Sequence, residues 1–120
     1  MNEKEIFLKA EEWLLKSLDI AIITVIQTWG SSPRPVGSSM IVNSNHETIG
    51  SVSGGCIESF VFAKSLEVIK NNNYQILEFG VSNAQAWEVG LTCGGKIKVL
   101  VEKFTLKDLD IIKEINNIFK

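Results

Sequence analysis

The chain has 120 residues, 45% of them hydrophobic, and a formal net charge of −2. This length fits one domain with its own core, the charge argues against binding to nucleic acid or to acidic membranes, and no apolar stretch is long enough to span a membrane. Because the N-terminus also lacks the basic and apolar parts of a signal peptide, we expect a cytoplasmic protein whose two cysteines are thiols.

The periodicity of the apolar residues predicts helices and strands in the order α-β-β-β-α-β-β-α. The predicted ranges are a helix at 3–17, strands at 20–28, 39–43 and 48–52, a helix at 56–71, strands at 74–79 and 96–104, and a last amphipathic helix. Asn2 with Glu5 predicts an N-cap for the first helix, and Thr105 with Asp108 predicts one for the last. The β-branched run 20–28 is typical of a strand buried on both faces. We therefore predict a single α/β domain, α+β-like, with a mixed β-sheet flanked by helices.

A glycine-rich turn, Ser-Gly-Gly-Cys-Ile-Glu at residues 53–58, connects a predicted strand to a predicted helix. Glycines let a backbone turn sharply and approach a ligand, and the start of a helix favours an anion or a thiolate such as that of Cys56. Glu58 either caps the helix start or faces a ligand. The alternative interpretation is a tight strand-to-helix turn with a small buried cysteine.

A second glycine-flanked cysteine lies in the loop Leu-Thr-Cys-Gly-Gly at residues 91–95. Adjacent backbone N–H groups in such a loop can form a nest for an anion. A loop that only needs positive φ angles explains the same pattern, although two cysteines flanked by Gly-Gly in so short a chain make coincidence less attractive. Cys56 and Cys93 are therefore the candidates for catalysis.

A stiff loop carries the only arginine of the chain, Arg34, between Pro33 and Pro35. The residue before a proline is pushed toward extended backbone, so the loop holds out a guanidinium suited to a bidentate grip on phosphate or carboxylate. Ser31 and its neighbours add hydroxyl donors. A surface arginine that pairs with a nearby glutamate explains the pattern as well.

Several common sites are missing from the sequence. Two cysteines 37 positions apart and one histidine, His46, do not make a four-ligand zinc set. His46 is expected in a solvated turn, and no His-based triad is evident without it. There is no Walker A loop and no Gly-x-Gly-x-x-Gly fingerprint. We therefore predict no metal site and no nucleotide binding in this chain.

Three segments, 24–37, 50–58 and 87–99, resemble in order and spacing the motifs of the XdhC/CoxI family. The resemblance covers roughly residues 15–103. It implies an accessory protein that binds the molybdenum cofactor (molybdopterin), protects it during sulfuration and delivers it to the apo-enzyme of a molybdenum hydroxylase such as xanthine dehydrogenase. The candidate cofactor-binding residues are Ser31, Arg34, Ser53, Gly54, Gly55, Cys56, Glu58, Cys93, Gly94 and Gly95.

The resemblance also raises the question of a second domain. Family members typically continue into a C-terminal Rossmann-like domain, whereas residues 1–120 correspond to the N-terminal domain only. Two alternatives to the cofactor-binding role stay open: a thiol-dependent sulfur-transfer or redox enzyme using Cys56 and Cys93, and an interaction subunit that docks to a separate Rossmann-domain chain. Because the predicted helix 56–71 is apolar on much of its surface, we expect a homodimer.

Overall fold

The helices and strands follow the predicted order. The computed structural model describes residues 2–30, 34–54, 57–80 and 96–119. Its elements are α1 (Glu3–Leu15), β1 (Ile20–Trp29), β2 (Ser39–Asn43), β3 (Thr48–Gly50), α2 (Glu58–Asn71), β4 (Tyr74–Gly80), β5 (Lys96–Phe104), a 3₁₀ turn (Leu106–Asp108) and α3 (Leu109–Ile118). The third strand is shorter than predicted, because it ends at Gly50 and not at residue 52.

Both predicted helix caps are confirmed. The Glu5 backbone amide donates to the Asn2 side-chain oxygen at 3.0 Å. At the other cap, the Thr105 amide donates to the Asp108 carboxylate at 2.8 Å, and the Thr105 hydroxyl accepts from the Lys107 amide at 3.3 Å. These bonds satisfy backbone donors that a helix start leaves without an internal partner. The Asn2 cap directly precedes α1, whereas the Thr105 cap precedes the 3₁₀ turn that leads into α3.

The five strands form one sheet in the order β3-β2-β1-β5-β4. The predicted class, a sheet flanked by helices in an α+β arrangement, is confirmed, but the expectation of a mixed sheet is corrected: all four described pairings are antiparallel. The reason lies in the connections. The pairs β1–β2, β2–β3 and β4–β5 join strands that follow one another in the chain and need no crossover helix, so they run antiparallel. The strands β1 and β5 are not consecutive, and their antiparallel pairing follows from the way the chain brings β5 back beside β1. Within the described ranges, the helix that lies inside the strand sequence is α2, which leads to β4 at the opposite edge of the sheet, beside β5.

The central strand β1 is buried on both faces, as its β-branched sequence predicts. Ala21, Ile23 and Val25 belong to the core under α2. Ile20 and Ile22 belong to the core under α1 and α3. Successive side chains of a strand point to opposite faces, so the two helix layers pack against alternate residues of one strand.

The helices cover the two faces unequally. The helix α2 contacts β1, β5 and β2, whereas α1 contacts β2, β1 and α3. On β4, Leu77 and Phe79 pack into the core under α2, but Tyr74 and Ile76 point to the other face and are 68% and 56% exposed. Within the described ranges, the face of β4 opposite α2 therefore carries no helix. None of the helices in these ranges combines the length and the hydropathy that crossing a membrane requires.

Candidate functional site

The segments that carry the sequence motifs leave the sheet at one end. The register places the C-terminal ends of β1, β3 and β4 at this end, together with the N-terminal ends of β2 and β5. The segment after β3 starts at the level of Thr24, whereas β5 starts at the level of Trp29, roughly 16 Å further along β1. The loop after β1 begins at Trp29, beside the start of β5. It ends beside Val25, close to the level at which the segment after β3 starts.

The loop that carries Arg34 is fastened to β1 by backbone hydrogen bonds. The Gly37 amide donates to the Val25 carbonyl at 2.8 Å, and the Val25 amide donates to the Ser38 carbonyl at 2.9 Å. A bulge follows between Val25 and Gln27 and leaves Ile26 exposed. Bulges re-aim a strand locally. Arg34 is half-buried, so its guanidinium is held against the protein and does not extend freely into solvent.

The glycine-rich turn before α2 is organised around the Glu58 carboxylate. One oxygen, Oε2, accepts from the Ser51 hydroxyl at 2.6 Å and from the Val52 and Ser53 amides at 3.0 Å each. The other oxygen, Oε1, accepts from the Ser53 hydroxyl. These bonds tie the first turn of α2 to residues 51–53, which directly follow β3. Glu58 therefore accepts hydrogen bonds from the segment that precedes the helix.

Ser53 and Gly54 are engaged in the same network. Ser53 is buried, and its hydroxyl accepts from the Ile57 amide at 3.0 Å while donating to Glu58. The Gly54 amide donates to the Ser51 hydroxyl oxygen at 2.9 Å. The described polar groups of this turn thus support one another, and direct contact of Ser53 or Gly54 with a cofactor stays a prediction.

The hydrogen bonds decide the charge of Glu58. Burial by itself would raise the pKa of its carboxyl, but the bonds from the Ser51 and Ser53 hydroxyls and from the Ser53 and Val52 amides outweigh burial and lower the pKa to about 2. Glu58 is therefore ionised at neutral pH. It provides a fixed negative charge and not an exchangeable proton, which excludes it as a general acid there.

A cleft opens beside this turn, between α2 and the β2–β3 hairpin. It has a volume of about 290 Å³ and is lined by Met40, His46, Thr48, Gly50, Glu58, Ser59 and Phe62. The His46 ring meets the Phe62 ring edge-on at a centroid distance of 6.2 Å. His46 is exposed in its turn, as expected, but its contact with α2 was not predictable, because no local pattern links residues so far apart in the chain. We call this feature the hairpin cleft.

Trp29 lies in a cluster of charged side chains at the same end of the sheet. The ammonium groups of Lys96 and Lys98 lie 4.7 and 5.8 Å from the centroid of its ring. Both lysines also approach the Glu78 carboxylate, at 2.8 and 3.8 Å, and the hydrogen bond from Lys96 lowers the pKa of Glu78. Two lysines around one glutamate give this cluster a net positive charge. The cluster lies at the start of β5, which belongs to the third motif, residues 87–99.

The remaining predicted site residues lie outside the described part of the chain. They are Ser31, Gly55, Cys56, Cys93, Gly94 and Gly95. The separation of the two cysteines and the thiol-dependent alternative therefore stay predictions. In the ranges that the structure describes, no group of three or more His, Cys, Asp or Glu side chains is arranged to hold a metal ion.

The sequence is similar to one protein family and to individual members of known name. The sequence profile of the XdhC and CoxI family matches residues 13–80. The chain is 28% identical over 94 residues to the molybdenum cofactor insertion chaperone PaoD of Escherichia coli K12, covering 78% of this chain and 29% of that protein. It is 30% identical over 95 residues to a probable xanthine dehydrogenase subunit from Bacillus subtilis, covering 77% of this chain and 29% of that protein.

A solved structure shares the fold. The crystal structure described as a xanthine dehydrogenase from Bacillus halodurans superimposes with a TM-score of 0.75 at 26% identity, covering 93% of this chain and 34% of that one. This chain thus spans only about a third or less of the length of the proteins that it matches.

Proposed function

Because the chain belongs to the XdhC and CoxI family, we propose that it binds the molybdenum cofactor, holds it during sulfuration and delivers it to the apo-enzyme of a xanthine-dehydrogenase-type molybdenum hydroxylase. In this role it is an accessory protein and not an enzyme. The names of two relatives, a molybdenum cofactor insertion chaperone and a xanthine dehydrogenase subunit, support the proposal. The observation that carries it is that the motif-bearing segments leave the sheet at one end.

The described residues fit the parts of this cofactor. Molybdopterin combines a phosphate with a flat pterin ring, and Arg34 offers a guanidinium suited to the phosphate. Lys96 and Lys98 lie at the same end of the sheet but on the face opposite α2, because they alternate with Ile97 and Val99 of the core under α2. When bound, the cofactor supplies the metal centre that a molybdenum hydroxylase uses for catalysis. The chain's own residues bind and orient it, and the Glu58 carboxylate holds residues 51–53 against the first turn of α2.

Replacing Arg34 or Cys56 with alanine is expected to weaken retention of the cofactor. The protein is mixed without oxygen with molybdenum cofactor released from xanthine dehydrogenase and passed through a desalting column, after which bound molybdenum and pterin are quantified. Loss of a charge-assisted bidentate contact predicts about tenfold weaker binding for Arg34→Ala. Lys113→Ala, which removes an exposed positive charge from α3, should bind as the wild type does. Unchanged retention by the double variant Arg34→Ala/Cys56→Ala would show that the site is wrongly assigned.

A second candidate function, docking to a separate Rossmann-domain chain, is supported by the exposed face of β4. Ile76→Lys should weaken binding to the separately expressed Rossmann-like domain of a longer family member about tenfold, because a charge replaces an apolar contact. The matched control is Ile111→Lys on α3, since Ile76 and Ile111 are both 56% exposed. Calorimetric titration measures the affinity of each variant for the Rossmann-like domain. Equal affinities of Ile76→Lys and Ile111→Lys would contradict docking through β4. The homodimer and the cytoplasmic location stay predictions.

A further inference from the structure

The hairpin cleft has the form of a small-molecule site. Its volume of about 290 Å³ lies just below the range for ligand pockets, roughly 300–1,000 Å³. Met40, which is 1% exposed, and the backbone of Gly50 line it from the hairpin side. Its rim carries the exposed residues His46, Thr48 and Ser59. An apolar lining with polar groups at the rim suits a flat ring that is apolar on its faces and polar at its edge.

The walls of the cleft are aromatic on one side and charged on the other. The Phe62 ring, held edge-on against His46, offers an apolar surface to a planar ligand. Glu58 lines the cleft from the first turn of α2, and its carboxylate is ionised at neutral pH. This fixed negative charge repels a phosphate and favours a ring edge that presents N–H donors. The cleft therefore selects for an uncharged heteroaromatic ring with amino and ring N–H groups.

We propose that the hairpin cleft binds the pterin ring of the molybdenum cofactor, with the phosphate end directed away from Glu58. The inference rests on the proposed function, and it assigns a binding role to His46, Thr48, Ser59 and Phe62, which the sequence motifs do not contain. The cleft shares Glu58 with the motif-bearing turn. Arg34, whose guanidinium suits a phosphate, lies on the loop after β1. The two lysines around Trp29 lie on the other face of the sheet, because they alternate with Ile97 and Val99 of the core under α2, so they are not placed to hold the phosphate of a cofactor whose ring is in the cleft.

Free pterin is the probe for this proposal, because it binds without the molybdenum centre. Pterin fluorescence on titration with the protein measures its affinity, and amide chemical shifts of Thr48 and Ser59 locate it. Lumazine, which carries an oxygen in place of the exocyclic amino group, should bind several-fold more weakly, because it removes N–H donors from the edge that the Glu58 charge favours. A pterin that carries a carboxylate should also bind more weakly, because Glu58 repels it.

Ser59→Phe tests the location of the site. Ser59 is exposed and lines the cleft, so the phenyl ring fills the cleft without a change in charge and should weaken pterin binding at least about tenfold. The matched control is Asn71→Phe, which puts the same ring at an exposed position at the other end of α2. Thr48→Trp fills the cleft from the hairpin side and serves if Ser59→Phe fails to fold. Wild-type protein that does not bind pterin, or cleft-filling variants that bind it fully, would overturn the proposal.

The cofactor-retention assay separates this inference from the proposed function. If the wild type retains the molybdenum cofactor but Ser59→Phe retains it equally well, the proposed function stands and the cleft assignment is wrong. If the wild type binds free pterin in the cleft but retains no molybdenum cofactor, the proposed function is wrong and the cleft is a pterin site for another purpose. The inference is supported only if Ser59→Phe weakens both pterin binding and cofactor retention while Asn71→Phe weakens neither.

Discussion

Replacing Glu58 with glutamine is expected to lower the free energy of unfolding by about 2 kcal/mol at neutral pH. The carboxylate accepts hydrogen bonds from the Ser51 and Ser53 hydroxyls and from the Val52 and Ser53 amides. Glutamine has nearly the same shape, but its amide nitrogen is a donor and faces other donors, so at least one half-buried group loses its acceptor. Urea unfolding followed by circular dichroism measures the loss.

The effect of Glu58 depends on pH in a defined direction. The pKa of its carboxyl is about 2 in the folded protein, against an ordinary value of 4.5. A lowered pKa in the folded state stabilises the protein fully above the unfolded value, and this contribution is lost as the pH falls through the folded value. The difference between wild type and Glu58→Gln should therefore be constant above about pH 5 and shrink between 4.5 and 2. Because the carboxylate is only half-buried, solvent screening limits the pH-dependent part to about 1–2 kcal/mol.

The same substitution at Glu67 provides the matched control. Glu67 lies on the same helix, but its carboxylate is exposed and pairs with the Lys64 ammonium at 3.6 Å, so Glu67→Gln should change the free energy of unfolding by less than about 0.5 kcal/mol. Equal effects of the two variants would show that the hydrogen-bond network around Glu58 does not stabilise the protein. A Glu58→Gln effect that stays constant down to about pH 2 would show that the stabilisation does not depend on the ionised carboxylate.

The sequence predicts the elements well where one physical signal dominates. The strand at 39–43 has the predicted bounds, because a β-branched apolar run is bounded by polar turn residues on both sides. The buried central strand and both helix caps follow from equally local patterns. Local patterns do not predict whether paired strands run parallel or antiparallel, since this depends on which strands become neighbours in the sheet. That arrangement is decided by long-range packing, which explains why the element order favours a mixed sheet while the structure contains an antiparallel one.

The candidate site is less accessible to sequence analysis. The glycine-rich turn and the likeness of its motif to a known family are visible in the sequence, but the sequence does not decide whether Glu58 caps a helix or contacts a ligand. The hydrogen bonds that the described residues make to its carboxylate come from residues 51–53, which requires this segment to lie against the first turn of the helix. The contact of His46 with Phe62 depends on how the hairpin packs against α2. Neither feature leaves a periodic or compositional signal.

Replacing Gly50 with alanine is expected to lower the free energy of unfolding by about 3–5 kcal/mol. Gly50 ends β3 with a φ of 92°, which side chains other than hydrogen rarely permit. A Cβ atom there would lie 2.5 Å from the Ser39 carbonyl oxygen and 2.9 Å from the Met40 Cα. Both are backbone atoms of β2, so they cannot move away without disturbing the pairing of β2 with β3.

The matched control for this prediction is Gly37→Ala. Gly37 has nearly the same φ, 95°, but a Cβ atom there would meet no other atom within 4 Å, so only backbone strain of about 1–2 kcal/mol is expected. The difference between the two variants therefore measures the clash with β2. Because the turn tied by Glu58 begins directly after Gly50, Gly50→Ala should also speed hydrogen exchange of the Val52 and Ser53 amides, which donate to that carboxylate. Equal losses in both variants, with these amides still protected, would show that β3 can move aside without loosening the turn.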